Sequence, residues 1–128
     1  MDEIQYDYPG LGGAIRIPLT SGDKRENFVL DITRGRINLK KGTYQSRARG
    51  VVILARLDFS GPPHRNPDDQ EIGSPHLHLY REGYGDRWAF SVPPAAFPNL
   101  AGSWATLQDF MRFINVTLTP DIRPSLFL

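Results

Sequence analysis

The amino-acid sequence predicts an α+β fold: a curved antiparallel sheet of five or six strands, partly barrel-like, with a C-terminal helix packed on it. Three observations point there. Apolar residues alternate in short runs through most of the chain, the two-residue period of half-buried strands. The 12 Gly and 11 Pro among 128 residues break those runs into short elements joined by turns. Only between Ser103 and Asn115 does the spacing change to three and four, the period of a helix.

Residues 1–13 close in Pro9-Gly10-Leu11-Gly12-Gly13, whose glycines lack both the spacing of a phosphate loop and a helix after them. Ile15, Ile17 and Leu19 fall on one face of a first strand; after a polar turn at residues 21–27, Phe28, Leu30 and Ile32 fall on one face of the next. Residues 36–39 extend the sheet past Arg34-Gly35, and Gly42 and Gly50 punctuate the basic stretch. The strongest strand is 51–59, where Val51, Ile53, Ala55, Leu57 and Phe59 line one face while Val52 and Leu54 begin a second apolar face, the pattern of a central strand. Residues 61–75, with four Pro and Asp68-Asp69, are read as a long loop without regular structure. Residues 76–81 and 87–92 form a β-hairpin around Gly83-Tyr84-Gly85-Asp86. Ser103 is the expected N-cap of a helix reaching about Asn115, with Trp104, Leu107, Met111 and Ile114 as its core stripe and Phe110 beside it. The chain is read as a single domain, 1–128, whose ends at 1–13 and 120–128 are loosely ordered.

The absence of Cys excludes disulfides, thiolate metal sites and Cys nucleophiles. No apolar run approaches the roughly 18 residues of a membrane span, and the N-terminus has no signal-peptide pattern, so the expectation is a cytoplasmic protein that does not engage a membrane. Fifteen Lys and Arg against 14 Asp and Glu leave a net charge of +1, which excludes a general polycation. Locally the balance differs. No acidic residue occurs between Ile32 and Leu57, while Arg34, Arg36, Lys40, Lys41, Arg47, Arg49 and Arg56 do. Arg34, Arg36, Lys40, Lys41, Arg47 and Arg49, with Arg65 and Arg81, are the candidate nucleic-acid-binding residues, because the planar guanidinium fork suits phosphate.

All three histidines, His64, His76 and His78, lie in residues 64–78. In a strand, His76, His78 and Tyr80 project to one side and Leu77 and Leu79 to the other. RNA cleavage through the 2′-hydroxyl needs a base, an acid and fixed positive charge at the transition state. His76 and His78 as base and acid, Tyr80 as orienting group, Glu82, and the arginines supply that set. The expected function is therefore a protein acting on or binding RNA, most specifically a metal-independent endoribonuclease with catalytic residues His76, His78, Tyr80 and Glu82 and no cofactor. Its partners would be RNA or another phosphate-bearing ligand, and a protein such as an antitoxin or a nucleoprotein complex. The alternatives are a non-catalytic nucleic-acid or nucleoprotein binding module, and a sheet face whose imidazoles bond to loop carbonyls.

The run His76-Leu77-His78-Leu79-Tyr80-Arg81-Glu82 resembles the first metal motif of the cupin family, with no later His to complete the second motif. That likeness implies a metal held by His76, His78 and Glu82. Small bacterial toxin ribonucleases are similar in residue vocabulary and in having a curved sheet packed with helix. Residues 34–50, 62–68 and 74–90, followed by Leu107-Gln108-Asp109-Phe110-Met111-Arg112-Phe113, look like a family of short uncharacterised bacterial proteins. This resemblance, most specific at residues 75–86, implies a bacterial or phage-borne source and brings no activity with it.

Overall fold

The computed structural model describes residues 4–36 and 42–124. Lys40, Lys41, the sheet extension expected at 37–39 and the tail 125–128 lie outside the described residues. The elements in chain order are β1 Gln5–Asp7, β2 Ala14–Thr20, β3 Asn27–Arg34, β4 Gly42–Ala48, β5 Val52–Asp58, β6 His64–Arg65, β7 Glu71–Ile72, β8 His76–Arg81, β9 Gly85–Ser91, α1 Ser103–Phe113 and β10 Asp121–Arg123. Six of these strands make one sheet in the order β2-β3-β4-β5-β8-β9, every pair antiparallel. The fold is mostly sheet with one helix near its C-terminal end, as predicted. The partly barrel-like closure does not occur: β2 and β9 remain edges of an open sheet.

Cross-strand partners share a face, so the register assigns each side chain. One face carries Ile17, Leu30, Ile32, Tyr44, Ala55, Leu57 and Leu77, which pack with Leu107, Phe110 and Met111 of α1 and with Phe97. Each large apolar side chain sealed there contributes about 2 kcal/mol. Tyr44 brings a hydroxyl into this core and satisfies it by donating to the Ser103 carbonyl at 2.7 Å and by meeting the Tyr8 hydroxyl. On the opposite face the register sets Arg16, Asp31, Gln45, Arg56 and His78 side by side across β2, β3, β4, β5 and β8. An amphipathic sheet with one polar row is the result.

The helix begins one residue earlier than the N-cap predicted: Gly102, extended at φ −116° and ψ 123°, is the cap, and Ser103 is the first helical residue. It stops in a Schellman arrangement. Asn115 takes a left-handed φ of 65°, its N–H reaches Arg112 O at 3.1 Å, and Val116 N–H reaches Met111 O at 2.9 Å. Both ends of the chain contribute strands, since β1 and β10 pair in parallel at Gln5↔Asp121, Tyr6↔Ile122 and Asp7↔Arg123.

The long 61–75 segment is more regular than its prolines suggest. It contains the short β6–β7 hairpin, and it covers the outer edge of β9. His64 Nε2 meets Arg87 O at 2.6 Å; two residues on, Asn66 Nδ2 donates to Ala89 O at 2.9 Å and Asn66 Oδ1 accepts from Ala89 N at 2.8 Å. Side chains at 64 and 66 thus take the place of a seventh strand, closing the ladder groups that an edge would leave open. At the opposite edge, β2 carries Pro18, a residue confined to sheet edges because it cannot donate to a ladder.

Candidate functional site

The polar row and the covering segment meet over β5 and β8. On β5, Arg56 and Asp58 point away from the core that Ala55 and Leu57 face; on β8, His76 and His78 alternate with Leu77 and Leu79 in the same way. The register places Arg56 opposite His78 and Asp58 opposite His76. His76 Nε2 and His78 Nε2 approach the same oxygen, Asp58 Oδ2, at 3.2 and 3.3 Å. The other oxygen, Oδ1, accepts from Thr43 Oγ1 at 3.1 Å and lies 3.3 Å from Arg56 Nε. Arg56 also reaches His78 Nε2 through Nη2 at 3.0 Å and Asp86 Oδ2 through Nη1 at 3.0 Å. His78 Nδ1 donates to the Asp86 carbonyl at 2.8 Å, which leaves its Nε2 with a lone pair toward Arg56 and Asp58.

The centre is closed. His76 is 4% and His78 1% exposed, and the His64 ring stands edge-on to His78 with centroids 4.5 Å apart. Burial pulls the His76 imidazole below its usual range against the opposing pull of the Asp58 carboxylate. For Asp58, burial acts upward, but the adjoining His78 imidazole, the Arg56 charge and the Thr43 hydrogen bond outweigh it and hold the carboxyl below the ordinary range. The arrangement can bind a cation or hold a proton between acceptors.

Of the four residues predicted to be catalytic, the structure brings together His76 and His78 and leaves Tyr80 and Glu82 apart from them. The β8–β9 register shifts between Leu79 and Arg81, which breaks the alternation that would align Tyr80 with the imidazoles. Tyr80 is instead 47% exposed, and Glu82 is exposed on the hairpin turn. The cupin-like ligand set is therefore not assembled. Arg56, Asp58, Asp86 and Asn66 are the members that sequence reasoning missed; the readable signal was the pair Arg56 and Asp58 at alternate positions of an otherwise apolar strand.

The basic residues do not form one strip, because the β3–β4 hairpin carries them to opposite ends and faces. Arg34 lies on the core side, buried, donating to Pro9 O at 3.0 Å with its guanidinium over the Tyr8 ring. Arg36 is exposed at the far end of the sheet, its stem against Gly12. Arg65 is exposed and pairs with Glu71 at 3.2 Å. Arg47 is on the outer face in a two-pronged pair with Asp31, Nε to Oδ2 at 2.6 Å and Nη2 to Oδ1 at 2.9 Å. It borders an open depression of about 320 Å³ lined by Arg16, Asp31, Thr33 and Gln45 as well.

That pair has a measurable consequence. Burial acts to raise the Asp31 carboxyl, but hydrogen bonds from Arg47 and Gln45 and the charges of Arg47 and Arg16 bring it below its ordinary range. A carboxylate depressed in the folded state adds stability above its unfolded pKa, about 3.9, and that contribution is lost as pH falls through the folded value. Asp31→Asn, which cannot titrate, should be less stable at neutral pH and show a shallower loss below about pH 4. Urea melts across that range measure it, and equal acid slopes in both proteins would show that Asp31 carries no such linkage.

The remaining basic residues gather at one end. The antiparallel order puts the β2–β3, β4–β5 and β8–β9 turns on the same end of the sheet. Lys24 sits in the first at φ 61° and Arg49 in the second at φ 54°, followed by Gly50 at φ 76° with Val51 N–H closing on Ala48 O at 3.2 Å. The third turn carries Arg81, whose guanidinium lies 4.6 Å from the Trp88 ring centroid and 5.9 Å from that of Tyr84. Lys24, Arg25, Arg49 and Arg81 are exposed, as are Tyr80 and Tyr84 of the third turn. Asp23 is spent on its own turn, accepting from Ser21 Oγ at 2.6 Å and Arg25 N at 3.1 Å; Glu26 and Glu82 are the other acids here.

The model of a family of unknown function, DUF6978, matches residues 1–116. The chain belongs to that family. The DUF6978 match covers more of the chain than the likeness read from the sequence, and it carries no activity. No curated protein matches the chain, and no solved structure does. In this DUF6978 chain no helix among the described residues is long and apolar enough to cross a membrane.

Proposed function

We propose that this protein is a non-catalytic module that binds single-stranded RNA along the turn end of its sheet. One observation carries the reading: two basic residues, Lys24 and Arg49, occupy left-handed conformations at neighbouring hairpin tips. A side chain with a Cβ is strained there by about 1 kcal/mol relative to glycine, and strained positions cluster where a side chain has work at a surface. Adjacent tips are two strand spacings apart, about 10 Å, so the three turns offer a rim about 20 Å long. Along it, Lys24, Arg25, Arg49 and Arg81 face phosphates, and Tyr80 and Tyr84 offer ring faces to bases. His76 and His78 take no part, because both are buried and Nε2 of His78 is engaged by Arg56.

A fluorescently labelled single-stranded RNA oligonucleotide, titrated with the full chain and followed by anisotropy, tests this. Four phosphate contacts predict an affinity that falls with salt at a log–log slope of about −2.8. The RNA should stay intact in EDTA. No binding at low salt, or binding indifferent to salt, would defeat the proposal; cleavage abolished by His78→Gln would return the function to the imidazoles.

A further inference from the structure

The buried centre between β5 and β8 has a construction that RNA binding does not use. Two buried imidazoles and a half-buried carboxylate converge: the ligand atoms of Asp58, His76 and His78 all lie within 4.8 Å of one another. Burying three such groups is expensive unless something between them draws on their lone pairs. His78 Nδ1 donates to the Asp86 carbonyl and Arg56 Nη2 donates to its Nε2, which stands 3.3 Å from Asp58 Oδ2.

We propose that Asp58 Oδ2, His76 Nε2 and His78 Nε2 bind one first-row divalent cation, zinc foremost. The spacing fits. An ion held tetrahedrally at about 2.0–2.1 Å from each ligand separates neighbouring ligand atoms by about 3.3–3.4 Å. Asp58 Oδ2 stands 3.2 Å from His76 Nε2 and 3.3 Å from His78 Nε2. The groups behind two of the three ligands are those a metal site requires, since they fix which atom Asp58 and His78 present. Thr43 Oγ1 donates to the distal Asp58 oxygen, with the Arg56 charge beside it, and the Asp86 carbonyl accepts from His78 Nδ1. Two nitrogens and one oxygen are a borderline donor set, suited to zinc and its first-row neighbours and unsuited to calcium or magnesium.

Arg56 must yield part of its position. Its Nη2 lies on the His78 Nε2 lone pair at 3.0 Å, whereas Nε and Nη1 lie on Asp58 Oδ1 and Asp86 Oδ2. Ion binding therefore requires the guanidinium to turn so that Nη2 leaves His78 Nε2. The site differs from the cupin pattern in its third ligand, which comes from the neighbouring strand instead of Glu82.

The test uses the full chain, stripped with EDTA and dialysed, titrated with zinc chloride near neutral pH by calorimetry. Long-range proton–nitrogen spectra of the three imidazoles are recorded at each addition. One equivalent should bind with a Kd below about 10 μM, and the Nε2 resonances of His76 and His78 should shift while those of His64 stay. Thr43→Val should weaken binding by about 10- to 100-fold, and Glu82→Gln should leave it unchanged. The wild-type spectra decide the matter even if a variant folds poorly. Zinc that does not bind below about 100 μM, that shifts His64 and not the pair, or that is lost in Glu82→Gln would overturn the proposal.

Discussion

Asn66→Ala should lower the free energy of unfolding by about 3 kcal/mol, a large fraction of what a domain of this size possesses. Asn66 is 4% exposed and Ala89 is fully buried, and the carboxamide makes both hydrogen bonds to the Ala89 backbone. Alanine leaves an N–H and a C=O buried without partners, each worth about 1–3 kcal/mol. It also reopens the β9 edge that the 61–75 segment closes. Chemical denaturation gives the energy, and hydrogen exchange at the Ala89 amide should accelerate well beyond the global change. A loss under about 1 kcal/mol would mean that the segment is not what seals this edge.

Lys24→Gly combined with Arg49→Gly should separate function from stability. Both positions have φ near 60°, where glycine has no Cβ to strain, so the double variant should melt at the same temperature or higher. In the RNA titration it should bind about 30- to 100-fold more weakly, with the salt slope falling from about −2.8 to about −1.4 as two of four contacts disappear. Unchanged affinity in a protein that is as stable as the wild type would show that these tips serve no phosphate.

The parts of this fold that could be read from the sequence are those in which side-chain chemistry follows the strand period. β5 and β8 announce themselves by alternation, and the hairpin after β8 by its glycines. β4 was not legible as a strand because its buried positions are Tyr44 and Ser46, a pattern with no apolar alternation. The β1–β10 pair joins three-residue strands about 116 positions apart, a separation no local signal spans. At the site, the common face of His76 and His78 was readable, and so was the bland alternative that imidazoles bond to loop carbonyls. His64 on Arg87 O and His78 on Asp86 O do bond to backbone carbonyls, but to those of strand β9 and not of a loop. The partner Asp58 was hidden because only the β5–β8 register brings it opposite His76. Burial was hidden too: Leu77 does face the core, but the other side of the strand is roofed by the proline-rich segment instead of open to solvent. Seven basic residues in a row of sequence read as one patch, whereas a hairpin necessarily divides such a row between two ends.

The proposed RNA-binding role assigns RNA to the turn end and not to the histidines, and the RNA predictions above depend on that division. Chemical-shift mapping of the full chain with an unlabelled single-stranded RNA oligonucleotide tests it most directly. The amides around Lys24, Arg49, Arg81 and Tyr84 should move with a common affinity while the imidazole signals of His76 and His78 stay in place. Shifts at those two rings, with the turns unmoved, would contradict it.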